Sequence, residues 1–223
     1  MEKTIAIAID GPAGAGKSSL AKAVAKKLDF IYVDTGALYR CIGLAFMRNG
    51  IDTKLECNVE EQLSKINIDI KFIDGVQHVF LNGEDVSEEI RTPQASMMAS
   101  SVSAVPEVRA FLLDMQRVFA EKYNVIMDGR DIGTVVLPNA RVKIFLTASD
   151  EERATRRFKE LKEKGSEVTF EEVLSDMRQR DYNDSHRAIA PLKPASDSVI
   201  ADTTGKTIEE SIELIISIIK EKV

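Results

Sequence analysis

Short apolar runs recur along this chain, and each gives way to a longer stretch whose apolar positions return every three or four residues. The runs at Thr4–Ile9, Phe30–Val33, Val125–Met127, Val142–Leu146 and Ser198–Ala201 predict strands. The longer stretches at Lys17–Leu28, Ala37–Arg48, Val108–Lys122, Glu151–Lys164, Phe170–Asp181 and Ile208–Lys220 predict helices. This alternation points to an α/β fold: a mostly parallel central sheet with helices on both faces, a three-layer sandwich. Ligands of such sheets sit beyond the carboxyl ends of the strands, so the polar endings Asp10, Asp34-Thr35, Asp128 and Thr147 are expected on one rim. One segment breaks the rhythm. Ile68–Ile73 and Val76–Leu81 alternate with period two across Asp74-Gly75, and Asn82-Gly83 follows, both dipeptides that favour tight hairpin turns. Residues 63–93 are therefore expected to form a small antiparallel sheet inserted into the core, with Pro93 and Pro106 punctuating the return.

The loop after the first strand carries the strongest chemical signal. Residues 4–18 read TIAIAIDGPAGAGKS, a full match to the phosphate-binding pattern G-x-x-x-x-G-K-[ST] in its required strand–loop–helix setting. Gly11, Pro12, Ala13, Gly14, Ala15, Gly16, Lys17, Ser18 and Ser19 are thus expected to bind a nucleoside triphosphate. Glycines let backbone N–H groups curl around anionic oxygens, Lys17 brings a point charge to the outer phosphates, and Ser18 offers a hydroxyl to Mg²⁺. The helix that follows directs the positive end of its dipole at the same place.

Three further clusters extend this. Thr35 reads as the N-cap of the helix after the second strand, and Arg40, a little over one turn on, could meet an anion there. In VIMDGRDIGTVVLP, residues 125–138, a strand ends at Asp128, which could hold the hydration shell of Mg²⁺. Arg130 could fork onto a phosphate, and Asp131 could accept from an exocyclic amine. Arg153, Arg156 and Arg157 lie near one helix face, with Arg178, Arg180 and Arg187 on or beyond the next. A lid closing over a triphosphate would want such arginines, although Glu151, Glu152, Glu160 and Glu163 offer each an ordinary surface partner.

Composition narrows the classes. The 223 residues suit one α/β domain with an insertion, or two small domains, and 44% hydrophobic with 30% charged residues is ordinary for a soluble protein. A net charge of −6 argues against a general nucleic-acid binder. Cys41 and Cys57 do not make a disulfide framework, and Cys41 reads as a small core residue in an apolar helical run. No signal peptide precedes Ile5 and no apolar stretch approaches the ~18 residues of a membrane span, so a cytoplasmic protein is expected, with no membrane partner. No long heptad repeat argues for an oligomer, and a monomer is expected. His78 and His186 are isolated, His78 reading as a strand residue, and no His/Cys metal spacing occurs.

Taken together, IDGPAGAGKSS, DTGALYR, DVSEEIRTP, IMDGRDIGTVVLP, VKIFLTAS and RDYNDSHRAIAPL resemble the bacterial-type cytidylate kinases, members of the nucleoside monophosphate kinase family, from Ile5 to the C-terminus. The phosphate loop alone is shared with many unrelated functions; the other five segments are far more specific. The resemblance implies a P-loop kinase unit over residues 1–223. Its core would be 1–34, 94–148 and 188–223, its monophosphate-binding region with the inserted sheet 35–93, and its lid with the adjoining helix 149–187. It also implies transfer of the ATP γ-phosphoryl group to CMP or dCMP with Mg²⁺. Lys17, Arg130, Arg153, Arg157 and Asp128 would serve catalysis. Thr35, Arg40 and Arg130 would hold the CMP phosphate, Ser100, Arg109 and Asp131 would read cytosine, and Arg180, Asp184 and Arg187 would touch the ribose and line the closing site. The chain departs from the family's habit twice: Thr35 stands where serine is frequent, and Ser18-Ser19 stands for Gly-Thr, which leaves open whether Ser18 or Ser19 approaches Mg²⁺.

Cytosine chemistry is consistent with that assignment. Its N4 amine is a donor suited to a carboxylate, whereas uracil would turn an O4 acceptor toward Asp131, and CMP is therefore expected to be preferred over UMP. A kinase for shikimate or gluconate would share loop and lid but gives no reason for the inserted sheet. A regulatory ATPase or switch is the other alternative, and the guanine-reading N-K-x-D of a G-domain does not occur.

Overall fold

The computed structural model describes residues 4–51, 59–163 and 165–223, the side chain of Pro93 excepted. Cys57 and the expected helix end at Lys164 lie outside the described residues. Two compact units divide the chain: residues up to Tyr32 together with Tyr123–Val223, and Val33–Lys122.

The first unit is built on strands β1 (Ala6–Asp10), β2 (Ile31–Asp34), β6 (Val125–Gly129), β7 (Val142–Thr147) and β8 (Val199–Asp202), in the sheet order β2-β6-β1-β7-β8. β2 carries the chain from this unit into the second. Strand β1 pairs in parallel with β6 and β7, and β7 with β8. The register sets Ile9 beside Asp128 and Asp10 beside Gly129 and Phe145, so Asp10 and Asp128 end neighbouring strands at the same edge, as their sequence positions suggested. Ile7, Ile9, Ile126, Ile144 and Leu146 meet Leu20, Ala21, Val24 and Ala25 of α1 (Lys17–Leu28) and Ile212, Ile215, Ile218 and Ile219 of α8 (Ile208–Lys222). Burying side chains of this size stabilises the fold by ~1.5–3 kcal/mol each, before the entropy of ordering them. Helix α1 has the predicted bounds because Gly16 and Asp29, both left-handed, stop it at either end. A helical hairpin of α6 (Asp150–Glu163) and α7 (Phe170–His186) carries a small core of its own around Ala154, Val173 and Met177. Helix α7 runs beyond the predicted end at Asp181 to His186, since no residue in YNDSH forces a stop; its start is fixed by a capping box of Thr169 and Glu172.

The second unit holds the inserted sheet, β3 (Ile68–Ile73), β4 (Val76–Leu81) and the short β5 (Glu84–Asp85), antiparallel in that order. Asp74-Gly75 and Asn82-Gly83 make its turns, all four residues having positive φ. It shares one core with α2 (Thr35–Arg48), α3 (Val59–Ser64), α4 (Pro93–Val102) and α5 (Pro106–Lys122), in which Leu38, Ile42 and Phe46 meet Ile68, Val79, Leu81 and Leu112. Helices α3 and α4 escape prediction: α3 is barely two turns, and α4, PQASMMASSV, is too small and polar for a clear apolar stripe. Gly43 lets α4 approach α2, since a Cβ there would lie 2.9 Å from Met98 Cβ. Cys41 is fully buried in this core, as expected, and burial pushes its thiol up to about 12, which leaves it unreactive. His78 pairs through Nδ1 with Asp85 at 2.8 Å, a strand residue with a neighbour's carboxylate.

Candidate active site

In the first unit the phosphate loop runs from Gly11 to Ser18 between β1 and α1. Gly11 is obligatory: its φ is +152°, and a Cβ would stand 2.0 Å from the Leu146 carbonyl oxygen. Lys17 is buried, and its Nζ folds back onto the Pro12 carbonyl at 2.6 Å. Burial and then the Arg130 guanidinium push the Lys17 ammonium well below its ordinary pKa; Asp128 pulls the other way, Arg180 adds to the fall, and Asp10 opposes it. A polyphosphate placed against Lys17 would add negative charge that favours its ammonium form.

Asp128 sits near the end of β6 and accepts from Ser18 Oγ at 2.8 Å and from Tyr32 Oη at 2.8 Å. A serine hydroxyl facing a carboxylate is a hard-oxygen pair, the donor chemistry that suits Mg²⁺ held mainly through water and phosphate. Among the described residues no group of three or more His, Cys, Asp or Glu side chains is placed to hold a metal unaided.

Two ion pairs lie beyond. Arg130 Nε donates to Asp184 Oδ2 at 2.8 Å, and Arg187 Nη2 to Asp131 Oδ1 at 3.2 Å. Burial weighs against the Arg130 charge, but Asp184, Asp128 and Asp181 outweigh it and the pKa is raised. Asp10, expected on the rim of the sheet, accepts from the N–H groups of Ile132 and Gly133, both at 2.7 Å. It thereby fixes the turn of π-helical geometry, Ile132–Val136, that follows Asp131. Its depth in the protein raises its pKa to about 6, against the two N–H donors, with Asp131 also raising it and Lys17 opposing.

The arginines of the hairpin differ from one another. Arg153 is buried, with Nε on the Ala148 carbonyl and its other nitrogens on Ala13, Asp181 and Asp150. Arg156 meets Thr203 and Glu152. Arg157 pairs with Glu160 at 2.8 Å, and the exposed Arg178 reaches Asp150 and Glu151. The surface-partner alternative thus describes Arg156 with Glu152, Arg157 with Glu160 and Arg178 with Glu151, but not the buried Arg153.

In the second unit, the N-cap of α2 is Asp34, not Thr35. Its carboxylate accepts from the Ala37 N–H at 3.0 Å and from Arg40 Nη2 at 2.7 Å, so the acid one residue earlier takes the role assigned to the hydroxyl. Thr35 is the first helical residue and is buried. The Nε of Arg40 is buried without a hydrogen-bond partner among the described residues. Gln77 of β4 holds Asp34 by its backbone, accepting from N–H at 2.8 Å and donating to C=O at 3.2 Å. Arg109, at the start of α5, is buried with its guanidinium 5.7 Å from the centre of the Tyr39 ring and Nη1 on the Ser103 carbonyl at 3.3 Å. Ser103 in turn donates to the carbonyl of Ser100 near the end of α4. Gln77 lies in no motif; Asp10 and Asp34 fall within IDGPAGAGKSS and DTGALYR, but only their strand-end positions mark them.

A parallel sheet whose first strand enters a glycine-rich loop over a buried lysine, with an arginine-bearing helical hairpin beside it, defines a P-loop kinase. The chain belongs to the cytidylate kinase family: the model of that family, described as Cytidylate kinase, matches residues 7–221. It is 51% identical over 216 residues to the cytidylate kinase of Caldicellulosiruptor bescii, covering 97% of this chain and 96% of that one. To the cytidylate kinase of Caldanaerobacter subterraneus subsp. tengcongensis it is 53% identical over 218 residues, 98% and 96% of the two chains. Among solved structures, an uncharacterized protein from Eubacterium ventriosum aligns over 98% of this chain and 99% of its own, with TM-score 0.56 and 16% identity, a likeness of fold. No helix among the described residues is long and apolar enough to cross a membrane.

Proposed function

We propose that this chain transfers the γ-phosphoryl group of ATP to CMP or dCMP, giving ADP and the corresponding diphosphate. The observation that carries the donor half is Lys17, buried beside Arg130 and Arg180 with its ammonium held well below its ordinary pKa. An anion relieves that imbalance, and the loop around it has the sequence and shape of a triphosphate cradle. Mg²⁺, held through the Ser18 hydroxyl and the Asp128 carboxylate, would neutralise charge on the phosphates.

The acceptor half is the site for CMP. Thr35, Arg40 and Arg130 take the CMP phosphate, a role supported by the unpartnered Nε of Arg40. Ser100, Arg109 and Asp131 read the base, and Arg180, Asp184 and Arg187 take the ribose side. No general base is needed, because the acceptor oxygen is already anionic at neutral pH, and catalysis reduces to alignment and charge neutralisation by Lys17, Arg130 and the hairpin arginines Arg153 and Arg157. Closure of residues 149–187 over the donor would keep water from the phosphoryl group. A monomer in the cytoplasm, with nucleotides as its partners, completes the reading.

The test is a panel of acceptors with Mg-ATP, following ADP. Formation of ADP with CMP and dCMP, and not with shikimate or gluconate, is expected. ADP release that is equal with and without any acceptor would instead identify a regulatory ATPase.

A further inference from the structure

The backbone of Ala13, inside the phosphate loop, is gripped at both polar ends by side chains of the helical hairpin. Its N–H donates to Asp181 Oδ1 at 3.0 Å, and its C=O accepts from Arg153 Nη1 at 2.7 Å. The same Nη1 donates to Asp181 Oδ2 at 2.5 Å, so the three residues close a ring of hydrogen bonds like one rung of a strand pair. Arg153 is itself anchored by the Ala148 carbonyl and by Asp150. One residue on, Gly14 has no space beside it: a Cβ there would meet Met177 Cε at 2.7 Å and the Arg153 carbonyl oxygen at 3.0 Å. Loop residues 13 and 14 are therefore seated on α6 and α7.

We infer that Asp181 is a positioning residue for the donor nucleotide, setting the shape of the phosphate loop through Ala13 in concert with Arg153. A cradle of backbone N–H groups works only if successive peptides point inward, and the glycines that allow this shape also allow others. The clamp removes that freedom from outside the loop. Asp181 alone would repel a polyphosphate; paired with Arg153 it does not. The Ala13 N–H is committed to Asp181, so the phosphates are cradled by the N–H groups that follow it. This rests on the reading of Gly11–Ser18 as the ATP loop.

The experiment measures the Kd of Mg-ATP by calorimetry, with no acceptor present, and then KM for ATP and CMP separately. Asp181→Ala is expected to weaken ATP about tenfold or more, through Kd and KM alike, while KM for CMP stays within about twofold. Arg153→Lys, which keeps the charge but loses the fork, is expected to weaken ATP too, and the double variant to be no worse than the poorer single within about twofold. Should Asp181→Ala fail to fold, Asp181→Asn, which keeps the shape, is read in the same way. An unchanged Kd for ATP, or equal losses toward ATP and CMP, overturns the proposal. Lys17→Ala separates the two levels: if it abolishes turnover while Asp181→Ala binds ATP normally, the clamp is wrong and the loop reading stands; if Lys17→Ala also leaves ATP binding and turnover intact, the loop reading itself falls.

Discussion

Lys17 illustrates how a functional side chain is held against the interest of the fold. Its burial and its cationic neighbours make the charged form costly until an anion arrives. Lys17→Met should therefore lower kcat about a hundredfold or more, yet melt at a temperature no lower than the unmodified protein, which thermal denaturation would check. Asp10 poses the same conflict with the opposite charge. Its pKa rises from 3.8 to about 6 on folding. The folded state thus holds the proton more tightly than the unfolded chain. The stability this gives is present in full below about 4 and is lost as pH rises through about 6. Asp10→Asn cannot titrate, so the melting temperature of the unmodified protein minus that of this variant should fall as pH is raised from about 4 to about 7. A difference that rises over that range would mean that Asp10 is ionised more easily in the fold than out of it.

At the scale of elements, the inserted sheet has a mechanical connection to α2. Gln77 of β4 brackets the backbone of Asp34, and Asp34 caps α2 and holds Arg40. Gln77→Leu, which keeps the bulk and loses both hydrogen bonds, should raise KM for CMP several-fold and leave KM for ATP unchanged; equal change in both would show the sheet to be general support. The sheet itself was legible, because period-two alternation and Asp-Gly and Asn-Gly turns are local signals. So was α1, bounded by two left-handed residues. Helix α4 was hidden because Ala, Ser and Met spread its apolar surface too thinly for a stripe, and α7 outran its prediction because polar residues can prolong a helix once its start is capped. The bracket by Gln77 had no signal at all, since it joins residues 43 apart by a pairing that only the fold creates.

At the scale of the whole molecule, two units with separate cores share one chain. The sequence could propose Thr35, Arg40, Arg130 and Asp131 as candidates through the motifs DTGALYR and IMDGRDIGTVVLP, since each is a contiguous string at the end of a strand. It could not say which carboxylate each arginine meets, as the pairs Arg130–Asp184, Arg187–Asp131 and Arg153–Asp181 span 28 to 56 residues. The most direct test of the account is the ratio of kcat/KM for CMP to that for UMP, measured with Mg-ATP for the unmodified chain and for Asp131→Asn. An exocyclic amine read by a buried carboxylate predicts a preference for CMP of about a hundredfold or more, collapsing in the variant, whose amide can donate to uracil O4. Comparable values for CMP and UMP in the unmodified protein would contradict it.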